Sequence, residues 1–227
     1  MRDLSRREIL KTAAVAAAAA TAAAAPSTGS AAEPEARTGA YPISLNTSTL
    51  RGHKLPIRKT IEIAEKAGYT GIEPWPNEID DFIKSGGKLA DLKKELSDKG
   101  LTVTGAIAFF RWMVDDKEQR AKALEDAKVF MDKLAQIGGT HMAAPPTGKV
   151  GDVKLLDAAE RYRDLLVASE NFPVIPAVEV WGFQNNLYRL GQSVLVALEA
   201  QHPRACVLPD VYPVSYTHLT LPTILLV

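Results

Sequence analysis

From residue 41 onward the apolar positions fall into two alternating rhythms. Short apolar runs recur at 41–47 (YPISLNT), 69–73 (YTGIE), 101–110 (LTVTGAIAFF), 140–144, 174–179 (VIPAVE) and 205–210 (ACVLPD). Between them lie longer stretches with apolar residues at helical spacing, at 55–67, 89–99, 118–137, 153–170 and 187–200. The first of these places Ile57, Ile61, Ile63 and Ala64 on one side, and the first three stop at Gly68, Gly100 and Gly138-Gly139. Strands and helices alternating in this way predict parallel βα units. The strands lack clean polar–apolar alternation, as strands covered on both faces do. No G-x-G-x-x-G follows the first strand, which counts against a dinucleotide-binding fold. The pattern predicts an α/β fold, a (β/α)8 TIM barrel of which about six βα units are present.

The ends of the chain do not follow this rhythm. Ser5-Arg6-Arg7 opens a stretch that resembles a twin-arginine export signal. A polyalanine run and small residues up to Ala32 complete that pattern, so residues 1–32 are expected to be a signal peptide and 33–40 a linker. Alanine is weakly apolar and the run is short for a span, so no stable membrane anchor is expected after signal removal. The route implies a folded protein exported to the periplasm. Residues 41–213 form the expected partial barrel. The tail 214–227, VSYTHLTLPTILLV, has no charge and no helical period where a helix is due. VSYTHLTLPT is identified as the translation of a transposon-end sequencing adapter in one frame. The tail is therefore expected to be foreign, with the junction inside the codon of Pro213, where the natural residue is open and histidine fits the first base.

Composition narrows the function. The 227 residues are 46% hydrophobic and 24% charged, with 27 basic and 27 acidic side chains, as in a soluble globular protein. Residues 1–32 hold four basic and two acidic residues, which leaves 23 against 25, or −2, for the rest. Such a balance points away from nucleic acid and anionic membrane as partners. Cys206 is the only cysteine, which excludes an internal disulfide and a cysteine metal site. It lies mid-strand and reads as core.

Placing the strand ends on one barrel rim collects Asn46, Glu73, Phe109, Phe110, His141, Glu179 and Asp210. Glu179 ends an otherwise apolar strand, where an unpaired carboxylate is costly. Asp210 ends the next one. Two converging carboxylates suit a hard divalent cation such as Mn²⁺ or Mg²⁺, and either carboxylate could move a proton. Spacing alone favours the plainer reading, carboxylates that cap helices or pair with basic residues. Glu73 is a third candidate, against a role as a cap or ion-pair residue. Trp75 and Trp181 lie two residues past Glu73 and Glu179, and Trp112 lies just past the third strand. They either line a pocket that stacks on a sugar or cap the core, with equal weight for each. His53, in the first βα loop, is a candidate substrate contact against a default of solvation. His141 starts its strand, near the barrel bottom, and reads as a core histidine.

YPISLNTSTL, GYTGIEPWP, DLKKELSDKGLTVTG, VEVWG and CVLPDVY, in that order, resemble the sugar phosphate isomerase/epimerase group with a xylose isomerase-like TIM barrel. The resemblance covers residues 41–212. It implies a metal site of Glu, Asp, His and Glu from strands five to eight. Glu179 matches the first and Asp210 the second, and the other two have no counterpart here. It implies proton transfer beside a carbonyl through an enediolate. On that resemblance Glu179 would act as metal ligand and catalytic acid/base; the candidate substrate contacts, from rim and loop placement, are Asn46, Glu73, Trp75, Trp112, Trp181 and His53. The expected cofactor is a divalent metal, Mn²⁺ or Mg²⁺ first, with Co²⁺ or Zn²⁺ as alternatives. The expected partner is a small sugar or sugar derivative, with a homo-oligomer left open. The expected function is a metal-dependent sugar isomerase/epimerase, truncated here and inactive as written. The alternatives are a lyase or dehydratase on a keto-sugar or inositol derivative, and a non-catalytic exported sugar-binding barrel.

Overall fold

In the computed structural model, residues 41–217 are described. The expected signal peptide and linker, and residues 218–227 of the expected foreign tail, lie outside them. The chain runs β1 (Ser44–Asn46), a 3-10 turn (Thr47–His53), α1 (Ile57–Lys66), β2 (Gly71–Glu73), α2 (Pro76–Lys84), α3 (Leu89–Asp98), β3 (Thr102–Val103), β4 (Ala106–Ile107), α4 (Lys117–Gln136), β5 (His141–Ala144), α5 (Leu155–Ala168), β6 (Ile175–Glu179), α6 (Leu190–Glu199), β7 (Val207–Leu208) and α7 (Val211–Thr217). All strand pairs are parallel, in the orders β1-β2-β3 and β4-β5-β6-β7. Parallel strands with helices packed against them are the βα units of an α/β barrel.

β3 and β4 belong to the single apolar run 101–110. The ladder changes partner at Thr104 and Gly105: Thr104 N–H donates to Ile72 O on β2, and Ala108 N–H to Ala143 O on β5. A Cβ at Gly105 would lie 3.2 Å from His141 O, so the missing side chain permits the close approach of the two strands.

The helices form for the reasons the pattern gave. Ile57, Thr60, Ile61 and Ala64 make one buried stripe on α1. Gly68, at φ +78, stops it, and Tyr69 N–H returns to Ala64 O. Leu89, Leu92 and Leu96 do the same for α3, and Gly100 at φ +66 ends it. Asp116 caps α4 by accepting from Gln119 N–H at 2.9 Å. Two helices depart from expectation. α2 was not foreseen; its signals are Pro76 at the first helical position and Glu78, whose carboxylate accepts Trp75 N–H at 2.8 Å. α7 forms where no helical period is present, because Asp210 caps it by accepting from Tyr212 N–H at 2.8 Å.

The core lies between strands and helices. Tyr162, on α5, is fully buried, and its hydroxyl meets Pro176 O (2.8 Å), Cys206 O (3.0 Å) and Cys206 N (3.2 Å), which joins β6 to the segment leading into β7. Burial drives its phenol pKa upward, so the hydroxyl stays a donor. Arg204 closes the same corner, donating to Ser169 O, Phe172 O and Val174 O. Tyr162→Phe strips these buried groups of their shared partner and is expected to cost about 1–3 kcal/mol in urea unfolding. A loss within error would mean that water replaces the hydroxyl. Cys206 is half-buried, less enclosed than a core position. β1 and β7 each pair on one side only among the described residues, and Val194, Leu195 and Leu198 of α6 are exposed. Among the described residues no helix is long and apolar enough to cross a membrane.

Candidate functional site

Parallel register sets the first corner of the site. Asn46 and Glu73 are paired positions at the ends of β1 and β2. Asn46 Nδ2 donates to Glu73 Oε2 at 2.6 Å, and Asn46 Oδ1 accepts from Trp75 Nε1 (2.9 Å) and Ser48 N (3.0 Å). One amide thus fixes both the carboxylate and the indole, and the accepted bonds define which way it points. Thr47 lies buried beneath, its hydroxyl bonded to Glu78. Glu73 is neither a cap nor an ion-pair residue; Glu78 is the cap. The pKa of Glu73 is raised, by burial first and by the charge of Asp210, against the lowering effect of the Asn46 bond. Asn46→Ala removes that bond and is expected to raise the Glu73 pKa further and release Trp75. NMR titration of the carboxyl carbon checks this; an unchanged midpoint would mean the bond carries no weight.

The second corner is the end of β6. Glu179 is 1% exposed, and its Oε2 has no hydrogen-bond partner. Burial, then the charges of Asp210 and Glu73, push its carboxyl up to about 8. Asp210, half-buried past β7, uses one oxygen to cap α7. Of the plainer readings from spacing, the helix cap is the one this bond matches. Among the described residues no Lys, Arg or His forms an ion pair with Glu73, Glu179 or Asp210. Buried carboxyls such as Glu73 and Glu179, raised in proton affinity by burial and acidic neighbours and without a counter-charge among the described residues, have two outlets, protonation or a cation.

The residues partly fit a divalent metal. The orphaned Glu179 Oε2 and the Asp210 carboxylate are hard oxygen donors of the required kind. Among the described residues no group of three or more His, Cys, Asp or Glu side chains is arranged to hold a metal ion. The arc therefore contributes two ligands at most.

Aromatic rings cross the rim beside these carboxyls. Trp75 packs on Phe109 (centroids 5.4 Å apart), Phe109 on Trp181 (5.7 Å) and Trp181 on Phe183 (5.0 Å). Trp75 and Trp181 are half-buried, as rim positions require. Trp112 is not there. It is 1% exposed, donates through Nε1 to Pro145 O at 3.1 Å and packs on Tyr162 at 5.9 Å. Its place as a substrate contact is corrected to a core residue. His53 is exposed in the last turn of the 3-10 segment and, among the described residues, bonds to none of the rim carboxyls. His141 is exposed at the start of β5 and bonds Thr140 Oγ1 through Nδ1 at 2.9 Å, so it is not a core histidine. Phe183, absent from the sequence-based site, is brought to it by the same two-residue step that separates Trp181 from Glu179.

A family model described as xylose isomerase-like TIM barrel matches residues 61–218. Among solved structures, the chain is similar to the IolI protein with a bound zinc atom (17% identity, TM-score 0.64, 71% of this chain and 59% of that one). It is similar to a probable 3-DHS dehydratase, AsbF, from Bacillus anthracis (16%, 0.63, 72% and 61%). It is also similar to D-psicose 3-epimerase in the presence of D-fructose (17%, 0.60, 71% and 60%). At these identities the likeness is one of fold. The chain spans about three-fifths of the length of these structures. No curated protein matches it.

Proposed function

This chain belongs to the xylose isomerase-like TIM barrel family, and on that premise we propose that its parent is a metal-assisted sugar isomerase or epimerase. The observation that carries the reading is Glu179: a buried carboxyl with an orphaned oxygen, two acidic neighbours and no counter-charge. Glu179 and Asp210 would hold the cation, which supplies Lewis acidity at the substrate carbonyl oxygen. Glu179, at the end of β6, takes the proton beside that carbonyl as its carboxylate. Asn46 keeps Glu73 oriented as an acceptor for a substrate hydroxyl. Trp75 and Trp181 exclude water from one side and receive the apolar face of the sugar. The likeness to D-psicose 3-epimerase supports a ketose substrate, and the likeness to AsbF supports elimination after the same first proton removal as a second reading. Which divalent metal serves is a matter for loading experiments, with Mn²⁺ and Mg²⁺ first and Zn²⁺ or Co²⁺ next.

We propose further that the site is completed by two βα units beyond β7, that residues 1–32 direct periplasmic export, and that 214–227 are foreign. The one-sided β1 and β7 and the exposed apolar face of α6 support the missing units. Resequencing the locus from independent DNA decides the tail. The decisive test is solvent exchange. In the gene completed by its missing units, a Mn²⁺-loaded protein is expected to exchange the carbon-bound proton beside a ketose carbonyl with D₂O, followed by NMR. Glu179→Gln is expected to slow this by about 100-fold or more. The 227-residue chain is expected to give none. Exchange at the parent rate in Glu179→Gln would overturn the reading.

A further inference from the structure

We infer that the cleft between the first βα loop and α2, outside the rim carboxyls, binds an organic oxyanion, a molecule with a phosphate-ester or carboxylate group on an apolar body. The inference stands apart from the proton-transfer reading and shares only Trp75 with it, which also lines this cleft. The cleft has a volume of about 1050 Å³, room for a small organic ligand. One wall is the 3-10 turn and the start of α1, residues 48–60; the other is α2 and the turn after it.

The first wall is rich in hydrogen-bond donors. Arg51 and Lys54 line it, and neither forms an ion pair among the described residues. Thr60 lines it as well, is 1% exposed, and its hydroxyl makes no hydrogen bond among the described residues. A hydroxyl so enclosed is costly to leave alone unless a bound group meets it. α1 begins at Pro56 without a side-chain cap, and Ile57 N–H and Arg58 N–H meet no acceptor among the described residues. These donors face the same cleft from consecutive residues of one short segment.

The acidic side chains of the cleft are engaged or set apart. Glu78 accepts from Thr47 and from Trp75 N–H, and Asp81 pairs with Lys84 at 3.4 Å. Asp91 lies at the end that the cleft shares with a second groove, and Arg58 lines both. Arg58 is itself bound to Glu95 at 3.1 Å, so its side chain is not counted among the ligands. Phe82 gives the second wall an apolar surface. It is held under the Arg58 guanidinium, 5.5 Å from the ring centroid, and against Gly87, where a Cβ would come within 2.4 Å of the ring. Charge decides where an anion goes. The mouth presents Glu73, Glu179 and Asp210 without a cation, whereas this cleft presents two cations without an anion partner. Donors on one wall and an aromatic ring on the other match a molecule of mixed character, its oxyanion toward Arg51, Lys54 and Thr60 and its body against Phe82.

The test is calorimetry on the 227-residue chain in about 0.15 M NaCl, where loose surface pairing is screened. The probes are phenyl phosphate, phenylacetate, inorganic phosphate and benzyl alcohol. Phenyl phosphate or phenylacetate is expected to bind with a Kd below about 1 mM, and benzyl alcohol at least about tenfold more weakly. The tighter of the two anions tells a phosphate ester from a carboxylate. Arg51→Gln combined with Lys54→Gln is expected to weaken the anion about tenfold or more, and Thr60→Val by a similar factor. Thr60→Ser, which keeps the hydroxyl, and Lys59→Gln, whose side chain pairs with Glu62, are expected to bind as wild type. The indole N–H signal of Trp75, assigned by its loss in Trp75→Phe, is expected to shift with the same midpoint. No binding of either aromatic anion, equal binding of benzyl alcohol, or affinity unmoved in both the double variant and Thr60→Val overturns the inference.

Discussion

Trp112→Ala is expected to destabilise the protein by about 3–5 kcal/mol, a large part of the stability of a typical domain. The side chain is 1% exposed and packs on Tyr162, itself fully buried. Truncation opens a void that neighbours held by backbone bonds cannot fill. It also strips Pro145 O, a buried acceptor, of the indole N–H that satisfies it. The two losses separate in Trp112→Phe, which keeps most of the ring volume and loses the hydrogen bond, for an expected cost of about 1–2 kcal/mol. Urea unfolding followed by circular dichroism gives both values. A Trp112→Ala cost below about 1 kcal/mol would mean that residues 112–114 are not core, and would return Trp112 to the rim.

That residue also marks how far the sequence could be read. Three tryptophans after three strands look equivalent when only their order along the chain is known. Their offsets differ: Trp75 and Trp181 follow their strands by two residues, and Trp112 follows Ile107 by five. In the third unit Phe109 holds the rim position. The strand end there was hidden, because the apolar run 101–110 is continuous and the break at Thr104 and Gly105 comes from a change of pairing partner. Pairing is non-local, so a run of apolar residues carries no mark of where it changes neighbours; Gly105 was the one trace. The helices with glycine stops were legible because each stop is a local event. α2 was missed since its signals, Pro76 and Glu78, occupy a stretch with no long apolar period.

The site was legible in its residue types more than in its bonds. Glu179 and Asp210 could be placed on one rim from strand order alone, and β6 and β7 are indeed neighbours. The Asn46 amide that orients Glu73 and Trp75 depends on the β1–β2 register, and no spacing within one strand encodes a register with another. The surplus negative charge followed from counting carboxyls, but the missing counter-charge did not. With 27 basic residues in the chain, only the fold shows that none reaches Glu73, Glu179 or Asp210 among the described residues.

Glu179→Gln is expected to stabilise the metal-free protein at alkaline pH. The sign follows from where the proton sits. Unfolded, the carboxyl releases its proton near 4.5; folded, burial and the acidic neighbours hold it to about 8. Between these values the folded state carries the extra proton, so stability is full below about 4.5 and declines as pH rises through about 8. At about 1.4 kcal/mol per pH unit across that window, the wild-type chain loses on the order of 5 kcal/mol. Glutamine keeps the shape and cannot ionise, and its amide gives Asp210 a donor. The variant is expected to unfold with little pH dependence from this site, to match wild type near pH 4.5 and to exceed it near pH 9. Urea midpoints in EDTA from pH 4.5 to 9 measure both curves. A cation that meets the orphaned oxygen should act in the opposite direction, so Mn²⁺ is expected to restore wild-type stability at high pH and leave Glu179→Gln unmoved. Parallel curves for the two proteins in EDTA would show that Glu179 ionises as an ordinary carboxyl, and the buried, uncompensated charge on which the proton-transfer reading rests would be gone.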